Sequence, residues 1–85
     1  LALFDLYVGQ KRYDMAEGVI TDLVEGNPED SDLLGTLGNF YFRQQRSDAA
    51  EAAFQKAIEV DPYNPKNYLI LASFYDAVGA PDKSP

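Results

Sequence analysis

The stretch LLGTLGNFYF, Leu33 to Phe42, sets two glycines among leucines and aromatic residues. A buried strand and a closely packed helix are both written this way. The spacing decides between them: Leu33, Leu34, Leu37, Phe40 and Tyr41 recur at three and four residues, which lines one face of a helix. Glycine costs roughly 1 kcal/mol relative to alanine inside a helix, so Gly35 and Gly38 call for a packing reason. A neighbouring helix crossing closely at Gly38 would be such a reason.

The same spacing recurs downstream in Ala50, Ala53, Phe54, Ala57 and Ile58. Helix punctuation surrounds these runs. Asp30-Ser31 is suited to cap a helix beginning near 31, Ser47-Asp48 one beginning near 48, and Asn64 precedes Pro65 at a first helical turn. Asp61-Pro62-Tyr63-Asn64-Pro65 cannot continue a helix and reads as a turn. The pattern predicts five helices, about 1–9, 13–25, 31–45, 48–60 and 65–79, in an all-α chain. Short links make successive helices antiparallel neighbours.

The chain also repeats itself. A shift of 34 positions aligns residues 1–34 with 35–68 and gives nine identities, among them Leu3/Leu37, Tyr7/Tyr41, Arg12/Arg46, Ala16/Ala50, Glu17/Glu51 and Pro28/Pro62. Chance would supply roughly two at average residue usage. A second shift continues the series with Leu71, Tyr75 and Asp82.

Composition excludes several kinds of function. With 14 acidic against 7 basic residues, the net charge of −7 disfavours nucleic-acid backbones and anionic membrane surfaces. Cysteine and histidine are absent, which removes thiolate metal sites, disulfides and the usual general base at neutral pH. The longest strongly apolar stretch, Tyr68 to Ala72, is far short of the roughly 20 residues of a membrane span. No catalytic residues, cofactor or metal site are expected. The sequence opens at Leu1 and ends at Pro85 soon after the start of another helix, so a fragment of a longer protein is expected.

The middle unit resembles the tetratricopeptide repeat, whose signature reads W-x2-L-G-x2-Y, A-x3-F and P over 34 residues. Here the pattern is Leu34-x2-Leu37-Gly38-x2-Tyr41, then Ala50-x3-Phe54-x2-Ala57, then Pro62. Leu34 stands where the family often has tryptophan. The third unit keeps Tyr68-x2-Leu71-Ala72-x2-Tyr75, and the first keeps Leu3, Tyr7, Ala16, Ile20, Leu23 and Pro28 with Phe4 at the small-residue position. The resemblance implies an α-solenoid of antiparallel helix pairs in a right-handed superhelix. The units expected are about 1–30, 31–64 and 65–85, the last with its first helix only.

Such a solenoid presents a concave surface lined by the first helix of each pair, and the resemblance implies a scaffold that binds a partner peptide or helix there. Matching the family's concave positions points to Asn39, Phe42 and Arg43 in the middle unit and to Lys66, Leu69 and Ser73 in the third. Asp5, Val8, Asp32 and Gly35 fall on the same surface, while the tyrosine series Tyr7, Tyr41, Tyr75 reads as core packing. Family members that clamp a terminal carboxylate use a set of Lys, Asn, Asn, Lys and Arg. Gly35 stands where the first Lys would be and Ile70 where the Arg would be, so no clamp is expected. A second class of function is a regulatory or substrate-presenting segment of a larger enzyme. A third expectation is self-association through Tyr68, Leu71, Phe74 and Tyr75, facing a second helix that the chain does not supply.

Overall fold

In the computed structural model, which describes residues 2–79, the chain forms α1 (Ala2–Gly9), α2 (Tyr13–Gly26), α3 (Ser31–Arg43), α4 (Ser47–Val60) and α5 (Pro65–Ala77). The described residues contain no strand. Leu1 of the first predicted helix and Asp82 of the repeat series lie outside the described residues.

Two helices begin as their sequence requires. The Asp30 carboxylate accepts from the backbone N–H groups of Asp32 and Leu33 at 3.0 and 3.3 Å, and the Asn64 side chain accepts from Lys66 N–H at 3.1 Å ahead of Pro65. The expected Ser47-Asp48 cap is corrected. That helix begins at Ser47 itself, preceded by Arg46, with no side-chain cap. The reason is a tight backbone turn that the chain makes twice. Lys11 and Gln45 adopt left-handed φ values of 60° and 61°. The next N–H groups, of Arg12 and Arg46, donate back to the carbonyls of Tyr7 and Tyr41 at 2.9 and 3.0 Å. The carbonyls of Arg12 and Arg46 then open the next helix by accepting from Ala16 and Ala50, both at 3.0 Å. This turn also ends α3 at Arg43 rather than at 45, and Gly79, with φ of 77°, follows the end of α5 at Ala77.

Each helix packs on its predecessor, and α3 also touches α5. The closest crossing joins α3 to α4, where a Cβ on Gly38 would lie 2.5–2.8 Å from three ring atoms of Phe54. Two apolar clusters result. The first holds Phe4, Ala16, Ile20, Leu37, Phe40 and Ala53, and the second Ala50, Phe54, Leu71, Phe74 and Tyr75, with Tyr41 packed against both. Edge-on aromatic pairs knit them: Phe4 on Phe40 at 5.4 Å between centroids, and Phe42 on Phe74 at 5.6 Å.

Leu71, Phe74 and Tyr75 are therefore buried, which corrects the expectation that they form an open face with Tyr68. The side of α5 that carries them already lies on α3 and α4 through Phe42, Ala50 and Phe54. Tyr68 stays at the surface and its hydroxyl donates to the Pro62 carbonyl at 2.9 Å.

Candidate protein-interaction groove

One side of the molecule is formed by α1, α3 and α5, the first, third and fifth helices in chain order. Two recesses run along it and meet at Asn39, which lines both. The recess between α3 and α5, about 470 Å³, is lined by Asn39, Phe42, Lys66, Leu69, Ser73 and Phe74. Five of the six groove residues read from the sequence thus come together there. The sixth, Arg43, lines the other recess, about 400 Å³, between α1 and α3 with Phe4, Asp5, Val8 and Phe40.

The apolar character comes from helical geometry. Phe42 is half-buried against Phe74, and Leu69 is exposed on the facing helix. Lys66 and Asp32, at matching positions 34 residues apart, form an ion pair at 3.1 Å across the two helices. Both ends are exposed, so the pair contributes little to stability. Arg43 makes no ion pair with any described residue.

The sequence reading missed Tyr13, Thr36 and Gln44, which complete the recess beside Arg43. The side-chain nitrogen of Gln44 is buried without a hydrogen-bond partner among the described residues. Gln44 repeats Gln10 at the 34-residue period, but repetition does not say which way a side chain points.

Two tyrosines tie successive helix pairs together. The Tyr75 hydroxyl donates to the Glu51 carboxylate at 2.7 Å and accepts from Gln55 at 3.3 Å. That bond to Glu51, with burial behind it and Gln55 opposing, raises the Tyr75 pKa above its ordinary value. Burial first, then the Glu17 carboxylate, raises Tyr41 likewise, against the opposing charge of Arg46. Arg46 stacks over the Tyr41 ring at 4.4 Å and pairs with Glu17 at 2.9 Å.

The described residues hold no cluster of carboxylates able to bind a metal ion, and no helix among them is long and apolar enough to cross a membrane. Helix pairs packed in series, with the same turn and the same buried positions recurring, define an α-helical repeat protein. The family model described as tetratricopeptide repeat matches residues 1–65. The chain is similar to a TPR repeat-containing protein of Dictyostelium discoideum, 32% identical over 66 residues that cover 74% of this chain and 25% of the relative. The chain belongs to the tetratricopeptide-repeat family, whose members are in general non-catalytic protein-interaction modules. It spans about a quarter of the length of the relative it matches.

Proposed function

We propose that this chain is a non-catalytic scaffold segment that binds an extended peptide or a helix of a partner protein along the groove of α1, α3 and α5. The observation that carries this reading is the convergence of Asn39, Phe42, Lys66, Leu69 and Ser73 on one recess, continuous through Asn39 with a second that contains Arg43, which makes no ion pair among the described residues. Phe42 and Leu69 offer apolar contact area, and Arg43 with Asn39 offers donors to a partner's carboxylate or backbone. The division into units 1–30, 31–64 and 65–85 belongs to the same proposal and is supported by the 34-residue period.

The test is a pull-down with the full-length protein carrying this segment, repeated with Arg43→Glu and with Phe42→Ala. Loss of a partner in both variants, with unchanged helicity, is expected. Retention of every partner by both variants overturns the groove assignment, and catalytic activity of the isolated chain would overturn the scaffold reading.

A further inference from the structure

The recess between α1 and α3 differs in chemistry from its neighbour. Three aromatic rings line it: Phe40 stands edge-on to Phe4 at 5.4 Å between centroids and tilted to Tyr13 at 6.3 Å. Phe4 and Phe40 are held by the core, whereas Tyr13 is 42% exposed. Rings attract one another in tilted and edge-on arrangements at such separations, so a further ring finds the same geometry on offer.

Two opposite charges line the same recess from different helices, Asp5 on α1 and Arg43 on α3. Both are exposed, and neither makes an ion pair with the other or with any described residue. Gln44 completes the polar set. Its backbone N–H donates to the Tyr41 carbonyl at 3.0 Å at the end of α3, and its side-chain nitrogen is buried with no hydrogen-bond partner among the described residues. A buried amide donor without an acceptor is costly, and an acceptor carried into the recess offsets that cost.

We infer that this recess is a binding site for a free α-amino acid with an aromatic side chain. Its ring lies against Phe4, Phe40 and Tyr13, its carboxylate accepts from the Arg43 guanidinium and the Gln44 amide, and its ammonium donates to Asp5. A ligand bearing both signs complements a recess that bears both, whereas a plain acid would meet Asp5 and a plain amine Arg43. The recess, about 400 Å³, is of the size that holds small molecules, roughly 300–1,000 Å³. The site needs no peptide in the groove, so its failure leaves the groove reading standing.

The test titrates L-phenylalanine into the whole chain and follows it by amide NMR. The Gln44 side-chain amide and the backbone signals around Arg43 are expected to shift together and to saturate with a dissociation constant of about 1 mM or tighter. Phenethylamine and phenylpropionate, each lacking one charge, are expected to bind about fivefold or more weakly. Arg43→Gln should remove the advantage of phenylalanine over phenethylamine, and Asp5→Asn its advantage over phenylpropionate. Both positions are exposed, so these variants keep the fold. Shifts that do not saturate, or that fall in the recess between α3 and α5, overturn the inference, as does equal binding of the three compounds. So does binding of N-acetylphenylalanine amide as tight as that of the free amino acid, which would give the recess to a side chain of a partner protein.

Discussion

Gly38 and Phe54 share a space that admits only one side chain. The ring of Phe54, fully buried, occupies the position a Cβ on residue 38 would need, at 2.5–2.8 Å from three ring atoms. Such a distance cannot be relieved without moving the α3–α4 crossing, because the ring itself is held by Phe74 at 5.3 Å between centroids.

The two glycines of α3 should therefore respond in opposite directions. Gly38→Ala is expected to destabilise the fold by about 1–3 kcal/mol through overpacking, more than its gain in helix propensity. Gly35→Ala is expected to stabilise by up to about 1 kcal/mol, since its Cβ would meet only Ile70 Cδ1 at 3.9 Å, an ordinary contact. Urea unfolding of both variants measures the contrast. Equal effects would show that the crossing is looser than described.

Gln45 lies in the left-handed region with its side chain exposed. Left-handed backbone costs a non-glycine residue roughly 1–2 kcal/mol, and glycine returns part of that gain as unfolded-state entropy. Gln45→Gly is expected to raise stability by about 0.5–1 kcal/mol, and Lys11→Gly, in the matching turn, to act similarly. Thermal melts decide this, and a lowered midpoint would count against the turn geometry.

Alkaline pH should weaken the fold. Tyr75 and Tyr41 have raised pKa values in the folded chain, so folding favours their protonated phenols. That contribution is fully present below the ordinary tyrosine pKa of about 10 and is lost as pH rises through the folded values. Tyr75→Phe should cost about 1–2 kcal/mol at neutral pH, by removing the bond to Glu51, and should make the alkaline decline shallower. Urea midpoints at neutral pH and above pH ~10 test both halves of the expectation. An alkaline decline as steep as in the parent chain would remove Tyr75 from the account.

Phe74 and Leu69 lie on one helix, one buried and one exposed, and truncating them should have effects of very different size. Phe74→Ala should cost about 3–5 kcal/mol, a large share of the stability of so small a chain. Leu69→Ala, at an exposed position, should change stability by less than about 0.5 kcal/mol. Leu69 is thus the residue whose loss can be read as a binding effect, whereas a charge at Phe74 would report on folding. Chemical denaturation of the two variants, side by side with partner binding, separates these roles.

The helices were legible because their signals are local. Apolar spacing, Asp30, Asn64 and Pro65 act within a turn or two, and the 34-residue period told which stretches are alike. The sequence reading erred in two ways, once through a local backbone turn and once through partners distant in the chain. Ser47 lost its expected capping role to a backbone turn closed by Tyr41, and Leu71, Phe74 and Tyr75 were covered by residues of α3 and α4. Asp32 and Lys66 hold matching phases in consecutive units, a signal that could have announced their ion pair.

What the sequence alone determined is the helix count, the antiparallel order and the phase of every side chain about its helix, since each follows from steric and hydrogen-bonding preferences of neighbouring residues. Only the tertiary structure decided which equivalent positions are covered. Tyr7 and Tyr41 are identical letters at one phase, yet the helix of Tyr41 lies on a preceding pair while Leu3 and Leu6 beside Tyr7 face outward. Burial is a property of what lies against a surface, and periodicity specifies the surface without specifying its neighbour.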